Sequence, residues 1–192
     1  RAETAARWAR GDGHPCRRGA WRDALGGAGI ERGRVAKGVA ETGDTYAENA
    51  TLKALAALEA TGQPSLGDDS GIEVDALGGF PGLRSARLGP TQVERTATLL
   101  EMLSAEPRPW KARFTCTIAF AEPGLPVRIV EGERHGEVVP EWKGEAGFGY
   151  DPVFLVPEVG ATFGQMDPAT KHHWSHRGAA IRALLDSGWL PL

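Results

Sequence analysis

Two adjacent carboxylates, Asp68 and Asp69, lie in the stretch LGDDSG at residues 66–71. If this backbone is extended, neighbouring side chains point in opposite directions, so one carboxylate would face a ligand while the other supports it. Such a carboxylate suits Mg²⁺, which accepts one or two protein carboxylates and takes its other ligands from water and phosphates. It also suits the orientation or deprotonation of an attacking water. The alternative is a simple turn, because Asp, Ser and Gly favour turns through local hydrogen bonds.

A further acid, Glu41, precedes a predicted helix start. Its simplest role is that of a surface charge that meets the helix dipole favourably, and beside a metal it would be a second ligand. Asn49 and Lys53 follow on the predicted helix, four residues apart and therefore on one face. This spacing would let the two side chains reach a common ligand.

Glycines alternate with aromatic residues in GEAGFGYDPVF at residues 144–154. Glycines let a backbone approach a flat ligand closely, Phe148 and Tyr150 offer faces for stacking, and Asp151 can accept hydrogen bonds from the edge of a base. Aromatic residues in a turn more often belong to the core, so both interpretations stay open. The interleaved glycines favour a ligand.

The stretch KHHWSHRGAAIRALL at residues 171–185 places Lys171 ahead of a helix that Ser175 can cap. His176 and Arg177 then occupy the first turn, where free backbone N–H groups attract anions. The three histidines have no partnering cysteine, so we do not expect zinc. Together the four stretches supply a hard-cation site, cations for phosphate and a slot for a planar base, as a hydrolase of nucleotide polyphosphates requires.

The elements that must position these residues follow from local signals. Thr45 and Glu48 form a capping box for a helix that Gly62 and Pro64 stop, and TQVERTATLLEMLS predicts a second helix. IEVDAL alternates like a strand that leaves the DDSG turn, whereas KARFTCTIAFAE and LPVRIVEGERHGEVV predict an antiparallel pair. The helix after Ser175 should direct Ile181, Leu184 and Leu185 inward. Helices that alternate with strands predict a mixed α/β or α+β sheet.

Length and composition set limits on function. The 192 residues suffice for one domain, and their net charge of −3 argues against bulk nucleic-acid binding. We find no apolar run near the roughly 20 residues that span a bilayer and no signal-peptide core, so we expect no membrane partner and a cytoplasmic location. Cys16 and Cys116 make no disulfide framework, and Cys116 is expected to be a small buried residue.

Residues 1–39 differ from the rest of the chain. They hold nine basic and four acidic residues, against 13 and 21 in residues 40–192. Eight arginines and eight glycines accompany only three β-branched aliphatic residues, so we predict no buried strand there and a poorly structured segment. We therefore divide the chain into an atypical N-terminal segment, 1–39, and a catalytic domain, 40–192.

Four motifs occur in the order and near the spacing found in a known family. ETGDTYAENATLKA, DDSGIEVDALGGFPGLRSAR, GFGYDPVF and KHHWSHRGAAIRALL resemble the inosine/xanthosine triphosphate pyrophosphatases, over roughly residues 40–186. The resemblance implies an elongated mixed α/β fold with two lobes flanking an active-site cleft, and a homodimer. It implies Mg²⁺-dependent hydrolysis of ITP, dITP and XTP to the monophosphate and pyrophosphate, which cleanses the nucleotide pool.

The resemblance also implies roles for individual residues. Asp69 would accept a proton from the attacking water and bind Mg²⁺, with Glu41 and Asp68 as weaker metal assignments. The residues that would contact substrate or base are Ser70, Phe148, Gly149, Tyr150, Asp151, Lys171, His176 and Arg177, with Asn49, Lys53 and Arg87 as weaker assignments. His176 and Arg177 would read the 6-oxo edge of the purine.

One departure from the family pattern concerns residues 1–39. Family members begin with an apolar strand and a Ser/Thr-x-Asn-x-x-Lys loop that cradles the triphosphate, and neither is present in this segment. Its Arg/Gly/Ala/Pro bias is typical of a GC-rich gene translated in the wrong frame. The alternative function is therefore a catalytically impaired nucleotide-binding relative, and a generic monoester phosphatase is a third hypothesis, which the GFGYD and SHR stretches oppose.

Overall fold

Six strands form one sheet in the part of the chain that the computed structural model describes, residues 7–9 and 39–190. They are β1 (Arg7–Ala9), β2 (Ser65–Val74), β3 (Trp110–Ala121), β4 (Arg128–Val138), β5 (Phe154–Val156) and β6 (Ala161–Thr162), and they neighbour one another in that order. β1 pairs with β2 in parallel, whereas β5 is antiparallel to both β4 and β6. The predicted mixed α/β class is confirmed.

Four α-helices accompany the sheet among the described residues. They are α1 (Tyr46–Thr61), α2 (Gln92–Leu103), α3 (Pro168–Trp174) and α4 (His176–Asp186). The capping box of Thr45 and Glu48 begins α1 as predicted, and Gly62 ends it in the left-handed region at φ 64°. Thr91 and Glu94 form an equivalent box at α2. These boundaries are set by neighbouring residues, which explains why the sequence predicted them.

The predicted strand pair after α2 is confirmed as β3 and β4, which are neighbours in the sheet. Residues 122–127 join them and include Gly124 at φ 74°. A connection this short can join only antiparallel neighbours, because a parallel crossover needs a dozen or more residues.

The interpretation of DDSG as a turn is wrong. Residues 68–71 lie inside β2, which begins at Ser65 and continues to Val74. Asp, Ser and Gly favour turns for local reasons, but this stretch continues a strand that has β3 as a neighbour and that pairs with β1 just ahead of it, at residues 65–67. The extended backbone makes the side chains of Asp68 and Asp69 diverge, as the other interpretation required.

The prediction of no strand within residues 1–39 is wrong for Arg7–Ala9. These residues form β1, with Arg7 in register with Ser65 and Ala9 with Gly67. Strand pairing uses backbone groups, so a segment without a β-branched pattern can still pair with an existing edge. The predictions of poor structure and of a frame error for the remainder of this segment lie outside the described residues.

By its contacts the chain divides into two compact units. The first comprises, among the described residues, 7–9, 39–70, 116–132 and 177–190. Its β3 residues alternate: Ile118 and Phe120 pack with Ile181 and Leu184 of α4, whereas the alanines at 119 and 121 pack with those at 50 and 54 of α1. The sheet of this unit therefore has α4 on one face and α1 on the other, and the predicted inward positions of α4 are confirmed.

The second unit comprises residues 71–115 and 133–176 and has a core of its own. Phe114, Phe154 and Phe163 lie at its centre, with ring centroids 4.6 Å apart for the first two and 5.2 Å apart for the last two. Leu99 and Leu103 of α2 are fully buried in the same core. Large aromatic and aliphatic side chains of this kind dominate the energetics of burial.

Cys116 is fully buried in the first unit, as predicted, and burial raises the pKa of its thiol to about 12. The thiolate is the reactive form, so we expect a Cys16→Ser chain to react with a disulfide reagent at pH 8 about a hundredfold or more slowly when native than in urea. The absorbance of the released thiol measures both rates. Comparable rates with and without urea would contradict the burial of this residue.

Candidate functional site

Lys53 links two acidic side chains in the first unit. Its Nζ lies 2.7 Å from Asp69 Oδ1 and 2.8 Å from Glu41 Oε1, and it donates to the backbone oxygen of Asp68 at 2.9 Å. Lys53 itself is buried on α1, Asp69 lies on β2 and Glu41 lies in the loop before α1. Three elements thus bring together residues that are up to 28 positions apart in the sequence.

The protonation of this cluster follows from its burial and charges. Burial raises the pKa of the Asp69 carboxyl, and the neighbouring Lys53 ammonium, which acts in the opposite direction, does not cancel the effect. Burial opposes the charge on Lys53, yet the attraction of Asp69 and hydrogen bonds to Asp69 and Glu41 raise its pKa. Lys53 is therefore a cation at neutral pH, and Asp69 is more basic than an ordinary aspartate.

The opposite face of β2 carries a second charged pair. Arg177 Nη2 donates to Asp68 Oδ2 at 3.1 Å and to Ser70 Oγ at 3.4 Å. The side chains of Arg177 and Asp68 are only 7% and 9% exposed. Asp68 and Ser70 are two residues apart on one strand and therefore face the same way, towards α4.

Gly67 allows α1 to approach β2 closely. A Cβ at this position would lie 2.3 Å from the backbone oxygen of Ala50 and 2.6 Å from the nitrogen of Ala54. Gly67 and Asp69 share a face of β2, so the same close contact places Lys53 beside Asp69. The role of Gly67 could not be predicted from the sequence, because its partner is a helix backbone and leaves no signal in the local sequence.

A second polar cluster lies in the second unit around Asp151, which is buried. Its carboxylate accepts hydrogen bonds from Lys171 Nζ and from the backbone nitrogen of Phe148. Lys171 Nζ also lies 4.4 Å from the centroid of the Phe148 ring. Gly147, at φ 84°, has no room for a side chain, since a Cβ would meet Asp151 Oδ2 at 2.1 Å.

Tyr150 does not offer a stacking face in this structure. It is 4% exposed, packs in the core of the second unit and donates its hydroxyl to the backbone oxygen of Ser85 at 2.7 Å. The expectation of two stacking faces in GFGYD is therefore corrected to one, Phe148, which is partly exposed. Gly149 lies between them in the left-handed region at φ 62°.

Tyr150→Phe should destabilise the chain by about 1–3 kcal/mol, because the buried oxygen of Ser85 loses this donor. Urea unfolding followed by circular dichroism measures the change. Ser104→Ala is a suitable control, since it removes an exposed hydroxyl that donates to Glu101 at 2.7 Å, and its effect should stay within about 0.5 kcal/mol. Equal effects of the two substitutions would contradict the importance of the buried bond.

His176 is buried in the second unit and stacks on Phe114, with ring centroids 4.6 Å apart and planes 11° apart. Phe114 lies in KARFTCTIAFAE, a stretch that predicted a strand, but no local signal indicated a role for it at the site. Strand alternation predicts which face of β3 Phe114 occupies, whereas the residue that lies on that face is fixed only by tertiary packing.

Asn49 and Arg87, two of the weaker assignments, lie in different parts of the chain. The Asn49 side chain binds the backbone of the loop before α1, accepting from Gly43 N at 2.9 Å and donating to Gly43 O at 3.3 Å. It does not share a contact with Lys53, so the idea of a common ligand for these two side chains gains no support. Arg87 is exposed at the end of a short 3-10 helix, Gly82–Arg87, in the second unit.

The donor set of the Lys53 cluster has the chemistry that Mg²⁺ accepts. Within residues 39–190, no three His, Cys, Asp or Glu side chains form a group that could hold a metal on their own. Mg²⁺ does not require such a group, because it uses one or two carboxylates and completes its octahedron with water and phosphate oxygens. Asp69 and Glu41 supply two carboxylates beside the Lys53 ammonium, and this is a number that Mg²⁺ accepts.

A protein-family model described as the Ham1 family matches residues 24–187 of this chain. The chain belongs to the Ham1 family. The match begins at residue 24, within the segment 1–39, whereas the resemblance carried by the four motifs begins near residue 40. The four motifs quoted above all lie inside it.

Relatives of this Ham1 chain agree over most of its length. A dITP/XTP pyrophosphatase of Gloeobacter violaceus is 54% identical over 147 residues, which cover 77% of this chain and 75% of the relative. A solved HAM1 protein from Coxiella burnetii has a TM-score of 0.85 at 34% identity, and the Staphylococcus aureus Ham1 protein has 0.83 at 31%. Each of these structural matches covers 95% of this chain and 97% of the other.

Among the described residues, no helix is both long and apolar enough to cross a membrane.

Proposed function

We propose that this chain is a nucleoside-triphosphate pyrophosphatase that hydrolyses ITP, dITP and XTP to the monophosphate and pyrophosphate. The observation that carries the proposal is the cluster in which Lys53 of α1 contacts both Asp69 of β2 and Glu41 of the loop before α1. The printed name of the Gloeobacter relative, dITP/XTP pyrophosphatase, supports the substrate class.

Mg²⁺ is the proposed cofactor, held by Asp69 and Glu41. When bound, it would neutralise charge on the triphosphate oxygens and favour attack at phosphorus. Asp69 would orient the attacking water and accept its proton. Lys53 would keep the Asp69 carboxylate in place through its 2.7 Å contact and offset the repulsion between the two acids.

Substrate contacts are proposed separately for each unit. In the second unit, those assigned to the base are Phe148, Gly149, Tyr150, Asp151 and His176, and Lys171 is assigned to substrate. Phe148 would supply the ring face, whereas the buried Tyr150 would contribute backbone and support. In the first unit, Ser70 and Arg177 are the assigned contacts, while Asn49 and Arg87 have weaker support.

Selection for the 6-oxo purines follows from donor chemistry. A guanidinium or imidazole N–H aimed at O6 pairs with hypoxanthine or xanthine. The amino group of adenine would leave that donor without an acceptor, which costs several kcal/mol, or roughly a hundredfold or more in kcat/KM.

The proposal also includes a homodimer and a cytoplasmic location, the place of the nucleotide pool on which such an enzyme acts. The homodimer rests on the family resemblance. Sedimentation of the purified chain across a range of concentrations tests it, and a monomeric mass at every concentration would contradict it.

Pyrophosphate release from ITP, XTP, dITP, ATP and GTP with Mg²⁺ tests the proposed function. We expect the first three to be hydrolysed much faster than ATP, with activity lost in EDTA and restored by Mg²⁺. Equal rates on ATP and ITP would remove the specificity, and activity that survives EDTA would remove the metal. Rapid cleavage of p-nitrophenyl phosphate would instead favour a monoester phosphatase.

The alternative of an impaired relative rests on residues 1–39, of which the structure describes only Arg7–Ala9 and Val39, and the printed names of the relatives do not favour it. Calorimetric binding of ITP without turnover would favour this alternative. Running the substrate panel beside a chain whose N-terminus follows the family pattern separates a defect of that segment from a defect of the site.

A further inference from the structure

Asp68 and its neighbour Asp69 contact different cations: Asp68 pairs with Arg177, and Asp69 pairs with Lys53. The Asp68 carboxylate is 9% exposed and faces α4, where its Oδ2 accepts from Arg177 Nη2 at 3.1 Å. Asp69 faces α1 and contacts Lys53. The two adjacent acids therefore serve different cations on opposite faces of β2.

The pairing is suited to fixing the orientation of a guanidinium. Asp68 Oδ2 and Ser70 Oγ both lie within hydrogen-bond reach of the same Arg177 nitrogen, from two positions on one rigid strand. Arg177 stands in the first turn of α4, whose Ile181 and Leu184 are fully buried against β3. Strand and helix together restrict the rotamer of the arginine, and a planar guanidinium selects partners by its orientation.

These contacts argue against Asp68 as a Mg²⁺ ligand. The charge of a buried carboxylate is already balanced by the guanidinium, and breaking such a pair leaves an uncompensated buried charge. Glu41 and Asp69 instead both contact the Lys53 ammonium. Two carboxylates therefore meet beside α1, and this is a number that Mg²⁺ accepts from a protein.

We propose that Asp68 is a positioning residue that fixes Arg177 for base selection, and that it is not a Mg²⁺ ligand. This inference rests on the proposed function. It makes Asp68 a determinant of specificity that acts only through Arg177.

The test compares Asp68→Asn with the wild-type chain in steady-state kinetics on ITP and ATP over a Mg²⁺ titration. We expect the ratio of kcat/KM for ITP to that for ATP to fall by about tenfold or more. The Mg²⁺ concentration for half-maximal activity should stay within about twofold, because the metal carboxylates are intact. Asp75→Asn, an exposed acid just after β2, is the matched control and should change neither quantity.

Two outcomes would overturn the inference while leaving the proposed function in place. One is an unchanged ITP/ATP ratio in Asp68→Asn. The other is a rise of tenfold or so in the Mg²⁺ midpoint with equal losses on both substrates, the signature of a lost metal ligand. A wild-type chain that does not prefer ITP would instead refute the proposed function, and this inference with it.

A double variant keeps the proposal testable if Asp68→Asn does not fold. Asp68→Leu combined with Arg177→Met replaces the buried ion pair by apolar side chains, which proteins often tolerate. If Asp68 acts only through Arg177, the double variant should lose its preference for ITP over ATP and keep the wild-type Mg²⁺ midpoint within about twofold. A rise of tenfold or so in the Mg²⁺ midpoint of the double variant would show that Asp68 contributes to metal binding and overturn the proposal.

Discussion

Asp69→Asn should lower pyrophosphate release from ITP by about a thousandfold or more. The amide keeps the shape of the side chain but cannot accept a proton from water, and it is a poorer ligand for Mg²⁺ than a carboxylate. General-base catalysis alone contributes about 10²–10⁴-fold, and the lost metal charge adds to this. Steady-state kinetics at saturating Mg²⁺ measure the change.

Folding must be shown to survive this substitution. Lys53 retains its contact with Glu41 and with the backbone oxygen of Asp68, so we expect the unfolding midpoint in urea to change little. Asp75→Asn, at an exposed position in the second unit, controls for the loss of one negative charge and should keep wild-type activity. If Asp69→Asn retained a tenth of the wild-type rate or more, Asp69 would not be the proton acceptor.

Gly67→Ala should destabilise the chain by more than about 3 kcal/mol. The new methyl group would lie 2.3 Å and 2.6 Å from backbone atoms of α1, which cannot rotate away as a flexible side chain can. Overpacking of a well-packed interior typically costs about 1–3 kcal/mol, and contact with two backbone atoms of a helix lies at the upper end or beyond. Urea unfolding followed by circular dichroism measures the loss.

Gly62→Ala provides the matched control for this prediction. Gly62 adopts φ 64° at the end of α1, and a Cβ there would meet nothing within 4 Å. Its substitution adds only backbone strain, about 1 kcal/mol. Similar losses for the two variants would contradict a tight contact between β2 and α1. Any folded Gly67→Ala chain should also be less active, because displacing α1 moves Lys53 away from Asp69.

The boundaries of α1 and α2, the β3–β4 pair and the buried positions of α4 were predicted correctly from the sequence, whereas α3 was not predicted. Each depends on neighbours a few residues away: Thr45 with Glu48, Gly62 after the last turn, and Ile181 with Leu184 at helical spacing. The four motifs carried the family resemblance for a similar reason, since each is a short stretch with a readable spacing.

The errors arose where a distant element decided the local structure. DDSG is locally a turn sequence, but it lies inside β2, which neighbours β3 in the sheet. Arg7–Ala9 lacks a strand pattern and pairs with the edge of β2. Tyr150 belongs to a motif suited to ligand binding, but its hydroxyl donates a hydrogen bond to the backbone oxygen of Ser85, 65 positions away. In each case the partner lies far away in the sequence, so a short stretch of residues cannot reveal it.

By itself, therefore, the sequence determined which residues are candidates for the chemistry: the paired acids, Lys53, the glycine-aromatic stretch and the His-Arg pair. Only the tertiary structure decided how they are divided, with Asp69 and Lys53 on one face of β2 and Asp68 and Arg177 on the other. The physical reason is that side chains alternate along an extended strand, so two adjacent acids become two separate sites once a helix packs on each face.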